Sequence, residues 1–111
     1  MDYDREFLTG TVGVLILSFL VERPMYGYEM LQEAERRSAR AFQLKEGTLY
    51  PALRQMERAG LVRATWRQSD AGRQRKYYTL TSKGRRRADS KRRQWNTIST
   101  AMQAILEGSH D

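Results

Sequence analysis

Arginine and lysine side chains are concentrated in one part of the sequence. Residues 54–93 contain 14 Lys and Arg against 3 Asp and Glu, a net charge of +11, and the rest of the chain contains 6 against 10, a net charge of −4, which together give the overall +7. Clustered guanidinium and ammonium groups attract phosphates, so this segregation favours a polyanionic partner, either nucleic acid or an anionic membrane surface. Charge alone leaves open a soluble protein with a well-solvated basic face.

The sequence offers little for catalysis or metal binding. It contains no cysteine, which excludes disulfides, thiolate catalysis and cysteine-rich zinc sites. The single histidine, His110, lies at the extreme C-terminus, where chains usually fray. We therefore expect a protein that is not an enzyme and that holds no metal or cofactor.

Two features argue against a membrane protein. The most apolar run, VGVLILSFLV at residues 12–21, is about half the length needed to span a bilayer. The acidic start MDYDRE is unlike a signal or transit peptide. The sequence therefore predicts a cytoplasmic protein of 111 residues, a length that suits one domain.

Apolar spacing predicts two helices in the first third of the chain. The first must end by Arg23, because Pro24 disfavours helical geometry in its predecessor. Its apolar residues follow the i, i+4, i+7, i+8 spacing of a buried helix face: Leu8, Val12, Leu15, Ile16, Phe19 and Leu20. A buried strand is the alternative, but the length of the run favours helix. A second helix is expected from Tyr28 to Arg37. Gly27 near its start marks either a place where two backbones approach closely or an ordinary helix cap.

The stretch EGTLYPALRQ predicts a third helix with a proline near its start. Pro51 is harmless if the helix begins at Thr48 with Gly47 as its cap, since the first four amides of a helix have no intrahelical partner. Gly60 would end the helix. On this helix four residues face inward, namely Leu49, Ala52, Leu53 and Met56, and the outward residues include Thr48, Tyr50, Pro51, Arg54, Gln55 and Arg58.

A change of period after Gly60 predicts a β-hairpin. In LVRATWRQ, Val62, Ala64 and Trp66 alternate with polar residues, which is typical of a half-buried strand. SDAG is a turn signal, and RQRKYYTL predicts a second strand with Tyr78 and Leu80 on one face.

The last helix is expected to start at a Thr81 or Ser82 cap and to be long. Its first half carries the basic run SKGRRRADSKRRQ. Its second half carries an apolar seam at coiled-coil spacing, formed by Trp95, Ile98, Met102 and Ile105. We interpret this seam as a contact with a second copy of the chain; packing on the chain's own core is the alternative.

The order of these elements predicts the fold class. It is mostly α with a small β-hairpin: a winged helix-turn-helix DNA-binding domain at residues 1–80, followed by a C-terminal dimerisation helix at residues 81–111. In helix-turn-helix modules the second helix enters the major groove with its N-terminal residues nearest the bases. A rigid start to the GTLYPAL helix suits that role, and the hairpin is then the wing.

Four motifs, in this order and spacing, carry a family resemblance: YGYEM, GTLYPAL, MERAGLV and GRQRKYYTLTSKG. From about residue 8 to 106 the chain resembles the PadR family of bacterial winged-helix transcriptional regulators, in its smaller subfamily with one C-terminal helix. The resemblance implies a homodimer and a repressor that binds a palindromic operator and is released by an effector. The dense basic run at residues 83–93 departs from the family pattern and leaves open an extra phosphate contact.

Candidate DNA contacts follow from these positions, because phosphate contacts orient a protein and base contacts specify sequence. We expect Thr48, Tyr50 and Arg54 to lie in the major groove, with Lys45 on a nearby phosphate. On the wing we expect contacts from Arg73, Arg75 and Lys76. Tyr26 and Tyr28 lie at the start of the preceding helix, which in this fold crosses the DNA backbone. Tyr28 and Tyr78 could instead be core aromatics.

The effector and the nature of the partner are less constrained. The resemblance implies a phenolic or planar aromatic effector at the dimer interface, and Trp95 is the residue whose position suits it; the alternative is that Trp95 only anchors the interface. The rival to DNA binding is an antirepressor-like winged-helix module that binds a protein and not DNA.

Overall fold

Four helices and a small antiparallel sheet make up the chain. The computed structural model describes residues 5–108, and the side chains of residues 11–108. The predictions for His110 and for the side chain of Leu8 lie outside these residues. In chain order the elements are α1 (Arg5–Glu22), β1 (Met25–Tyr26), α2 (Gly27–Arg37), α3 (Glu46–Arg58), β2 (Val62–Gln68), β3 (Gln74–Leu80) and α4 (Ser82–Glu107).

Helix α1 is the centre of the core. It ends at Glu22, before Pro24, and its predicted apolar face is buried at Val12, Ile16 and Phe19. The other buried side chains come from every described element, and include Met25, Met30, Ala34, Leu49, Leu53, Met56, Val62, Tyr78, Leu80 and Ala88. No helix within residues 5–108 is long and apolar enough to cross a membrane.

Helix α3 begins two residues earlier than expected. Lys45 is the N-cap, and the N–H groups of Thr48 and Leu49 both donate to its carbonyl at 3.0 Å. Pro51 is then the sixth residue of the helix, so it has no N–H to offer the Gly47 carbonyl one turn earlier. The prediction that Pro51 lies among the first four positions is wrong, although the inward face is confirmed by the burial of Leu49, Leu53 and Met56.

The sheet has three strands where the sequence predicts two. The strand order is β1-β3-β2, and both pairings are antiparallel. Strand β1 pairs Met25 with Tyr78 and Tyr26 with Tyr77. Two residues are too few to show an alternating pattern, so only the tertiary structure reveals this strand.

Side chains alternate between two faces of this sheet. We call the side packed on the helices the inner face; on β2 and β3 it carries the cross-strand pairs Val62–Leu80, Ala64–Tyr78, Trp66–Lys76 and Gln68–Gln74. The outer face carries Tyr26, Arg63, Thr65, Arg67, Arg75, Tyr77 and Thr79. Trp66 shares the face of Val62 and Ala64, as predicted, but it is 64% exposed, because β2 has left the core before it reaches this position.

The end of α3 and the start of α4 meet in a tight junction. Gly60, at φ +76°, ends α3, and the Leu61 N–H donates to the Met56 carbonyl at 2.9 Å. Thr81 is confirmed as the cap of α4: its hydroxyl accepts from the Gly84 N–H at 3.0 Å and donates to the Gly60 carbonyl at 2.6 Å. Gly84 is buried against the Leu61 backbone.

A surface ion-pair network joins α2 to α1. Arg37 donates to both Glu22 and Glu33, and its guanidinium lies 5.3 Å from the centre of the Phe19 ring. Hydrogen bonds from Arg36 and Arg37 lower the pKa of Glu33 to about 2. These contacts fix the C-terminal end of α2, from which the chain turns towards α3.

The turn from α2 to α3 is held in an unfavourable backbone conformation. Ala39 and Arg40 have φ of 51° and 71°, a region that costs residues other than glycine roughly 1–2 kcal/mol each. The Ser38 hydroxyl donates to the Ala34 carbonyl at 2.6 Å and accepts from the Phe42 N–H at 2.9 Å. These bonds tie the turn to α2 and so set the direction in which α3 begins.

Candidate nucleic-acid interface

The first turns of α3 present a mixed polar surface. Lys45 and Arg54 are exposed and Thr48 is half-buried. The Lys45 side chain forms no capping bond, and Glu46 in the first turn opposes the binding of an anion at this end of the helix. Lys45 and Thr48 therefore lie at the start of α3, whereas Arg54 lies more than two turns further along the helix.

Tyr50 does not point away from the protein as expected. It is half-buried, packs on the core, and burial raises its pKa. Its ring covers Gly27 at the start of α2, where an added Cβ would come within 2.7 Å of the Tyr50 Cε1 and Cζ atoms. The close approach expected at Gly27 is therefore made by a side chain, and Tyr50 joins α2 to α3.

This packing predicts a coupled effect on stability. Gly27→Ala is expected to lower the free energy of unfolding by about 1–3 kcal/mol, because the new methyl group overlaps the Tyr50 ring. In the Tyr50→Ala background the same change should cost much less, since the ring is gone. Urea unfolding of the four proteins of this double-mutant cycle measures the coupling, and additive effects of the two changes would contradict the packing of Tyr50 on Gly27.

Two of the predicted DNA contacts bind each other on the outer face. The Arg75 guanidinium donates to the Tyr26 hydroxyl at 2.7 Å and lies 4.4 Å from the centre of its ring. Tyr77 meets Tyr26 edge to face at 5.3 Å, and Arg67 lies 5.0 Å from the Tyr77 ring centre. Tyr26 and Arg75 therefore connect β1 to the wing, whereas Tyr28 at the start of α2 is exposed and is not a core aromatic.

The three wing cations lie in three different settings. Arg73 is exposed at the end of the hairpin loop, where Gly72 has φ +81°. Arg75 is on the outer face, and Lys76 is on the inner face with its Nζ 5.7 Å from the Tyr78 ring centre. A phosphate backbone could contact Arg73 and one face of the wing without touching the other face.

The basic run on α4 surrounds the helix. Lys83 donates to the Ala59 carbonyl at 2.8 Å and so caps the end of α3. Arg92 and Arg93 both pair with Asp89. Arg85, Arg86 and Arg87 are exposed, and three consecutive helical residues point in directions about 100° apart. The run therefore does not form a single basic face.

The apolar seam of α4 is exposed in the part of the chain that the structure describes. Trp95, Ile98, Met102 and Ile105 are between 41% and 72% exposed. A surface hollow of about 350 Å³ on this helix is lined by Ser90, Arg93, Gln94, Thr97 and Ile98. Trp95 does not line this hollow.

Three residues that were not predicted as DNA contacts also lie on the wing. Arg67 and Tyr77 extend the outer cluster around Tyr26, and Trp66 stands exposed on the inner face. The two-residue alternation around Arg67 and Tyr77 identifies their face, but it cannot distinguish a stacked arginine from a solvated one.

Comparisons with known proteins agree with this architecture. The sequence pattern of the Transcriptional regulator PadR-like family matches residues 16–90. A transcriptional regulator of Mycobacterium tuberculosis is 35% identical over 81 residues, covering 73% of this chain and 72% of its own. A PadR-like transcriptional regulator from Bacillus cereus is 29% identical with a TM-score of 0.82, covering 94% and 99% of the two chains. A PadR family regulator from Clostridium difficile is 37% identical with a TM-score of 0.75, covering 86% and 98%.

Proposed function

Since the chain belongs to the PadR-like family of transcriptional regulators, we propose that it is a sequence-specific DNA-binding repressor that acts as a homodimer on a palindromic operator. The observation that carries the proposal is the position of the cations. Lys45 caps the start of α3 and Arg54 lies on the same helix more than two turns further on, while Arg73 is exposed on the wing and Lys76 is half-buried there. Recognition helix and wing thus offer two basic surfaces to one duplex.

The exposed apolar seam of α4 supports the operator part of the proposal. A soluble monomer rarely keeps an apolar stripe of this kind uncovered. Pairing two seams would bury the stripe and relate the two α3 helices by a two-fold axis, which suits half-sites about one helical turn apart. We also propose that the repressor is released from its operator when a phenolic or planar aromatic effector binds near Trp95 between the two chains.

Removing the wing cations tests DNA binding directly. In Arg73→Ala/Lys76→Ala we expect weaker binding to every duplex, and the slope of log affinity against log salt should fall by about 0.9 for each phosphate that the variant no longer neutralises. Arg75 is left in place because its hydrogen bond to Tyr26 has a structural role. Fluorescence anisotropy with a labelled duplex across a salt series measures both quantities.

The matched control removes the same charge from another surface. Arg92→Ala/Arg93→Ala deletes two cations that pair with Asp89 on α4, and it should change the salt slope less than the wing variant does. Equal slopes for the wing variant and the wild type would mean that the hairpin is not a wing. Absence of salt-dependent duplex binding by the wild type would favour the antirepressor-like module instead.

A further inference from the structure

We propose that Trp66 is a DNA-contacting residue, with its indole against the phosphodiester backbone between the wing and α3. Neither the family match nor the comparisons assign a role to this side chain. The inference rests on the proposed function, because it adds a contact to the same interface.

The register of the hairpin determines the direction of Trp66. It pairs across the sheet with Lys76, one position beyond the Ala64–Tyr78 pair on the inner face. Tyr78 is buried and Ala64 packs against the core, whereas Trp66 is 64% exposed. The inner face therefore continues past the core as a free surface that begins at Trp66 and Lys76.

That free surface lies on the same side of the sheet as α3. Strand β2 follows directly from α3 through Leu61, and the two elements pack against each other. Two α3 residues, Glu57 and Arg54, act on the Tyr78 hydroxyl: burial first, then Glu57, raise its pKa, and Arg54 lowers it. Lys76 has its Nζ 5.7 Å from the Tyr78 ring centre and pairs across the sheet with Trp66, so the inner face continues from the part packed near α3 to the wing.

The side chains at this exposed end of the inner face can bind the phosphodiester backbone of DNA. Indole offers one N–H donor and no acceptor, so it can donate to a phosphate oxygen while its ring covers a deoxyribose. Lys76, which pairs with Trp66 across the sheet, supplies positive charge. The inner-face residues of β2 and β3 include no carboxylate, although Glu57 of α3 adds negative charge near Tyr78. On the outer face, Arg67 and Arg75 lie over tyrosine rings, and Arg75 also donates a hydrogen bond to Tyr26.

Fluorine NMR tests the proposed role of Trp66 in the intact protein. The chain has two tryptophans, so labelling with 5-fluorotryptophan gives two signals, and the one missing from Trp66→Phe belongs to Trp66. On titration with a 24-base-pair duplex of mixed sequence at low salt, we expect the Trp66 signal to shift and to return when salt is raised. Trp95, on the seam of α4, is the internal control, and its signal should shift less.

Variants separate the contribution of the ring from that of charge. Trp66→Ala should weaken duplex binding roughly tenfold because the N–H donor and the ring are removed, with the salt slope unchanged because no charge is removed. Lys76→Ala should lower the slope by about 0.9 for each phosphate it releases. Thr65→Ala is the matched control, since Thr65 is the neighbour of Trp66 on the outer face and should bind as the wild type does.

The outcomes distinguish this inference from the function on which it rests. If the wild type binds the duplex in a salt-dependent manner, but the Trp66 signal does not move and Trp66→Ala binds like Thr65→Ala, the role of Trp66 is wrong and DNA binding stands. If the wild type shows no salt-dependent binding to the duplex, both the proposed function and the role of Trp66 are wrong. A shifted Trp66 signal together with weaker binding by Trp66→Ala supports both.

Discussion

Gly84→Ala is expected to destabilise the domain by at least about 3 kcal/mol and to prevent stable folding near physiological temperature. A Cβ at this position would overlap the Leu61 carbonyl oxygen and would lie 3.0 Å from the Leu61 carbonyl carbon and 3.1 Å from a Leu80 methyl group. Backbone cannot change rotamer to avoid the overlap, so α4 would have to move away from the end of α3. That movement would also break the hydrogen bonds that join Thr81 to Gly60 and Gly84. Thermal unfolding followed by circular dichroism measures the destabilisation.

Gly13→Ala is the matched control for this substitution. Gly13 lies inside α1, and an added Cβ there would meet nothing within 4 Å. Alanine is a better helix former than glycine, so this change should raise the free energy of unfolding by about 0.5–1 kcal/mol. If Gly84→Ala unfolds at or above the wild-type temperature, the close packing of Gly84 on Leu61 would be refuted.

Ile98→Asp/Met102→Asp is expected to convert the proposed dimer into a folded monomer. The two residues lie one helical turn apart on the exposed seam, and in a symmetric pair they would bring four carboxylates into an apolar interface. The winged domain should survive, because its buried α4 residues, Gly84 and Ala88, lie more than two turns earlier. Sedimentation velocity gives the mass, and dissociation of the dimer should be accompanied by loss of cooperative operator binding.

The control for the seam adds the same charge on the opposite side of α4. Thr100→Asp/Ala104→Asp has the same spacing of four residues, and both positions are exposed. It should sediment as the wild type does. A seam variant that remains dimeric at micromolar concentration would show that the two chains associate through another surface.

Local patterns were sufficient for most of the elements. The apolar face of α1, the end of α3 at Gly60, the Thr81 cap and the burial of Tyr78 and Leu80 are all confirmed. Each depends on interactions within a few residues, or on a two- or 3.6-residue period, and such signals are readable in one sequence. The family itself could be inferred in the same way, because its motifs combine these local signals.

The candidate site was predicted less well, because its side chains interact across the fold. Tyr50 looks like an outward residue on a helical wheel, but the wheel contains no information about Gly27, which leaves room for the ring. In the sequence Arg75 looks like a free cation on the wing, but the pairing of β1 with β3 places Tyr26 where Arg75 can donate a hydrogen bond to it. In both cases the partner lies more than twenty residues away in the chain.

The sequence by itself determined that this protein is a basic winged helix-turn-helix with a long apolar-seamed final helix, since charge segregation, periodicity and turn residues are local properties. Only the tertiary structure decided which polar side chains are free to meet a partner. In the folded chain Arg75 donates a hydrogen bond to Tyr26, and Lys83 donates one to the end of α3. Trp66, by contrast, is exposed on the side of the sheet that faces α3. The physical reason is that a side chain's availability depends on what the rest of the chain places against it, and contacts between distant segments leave no periodic trace in the sequence.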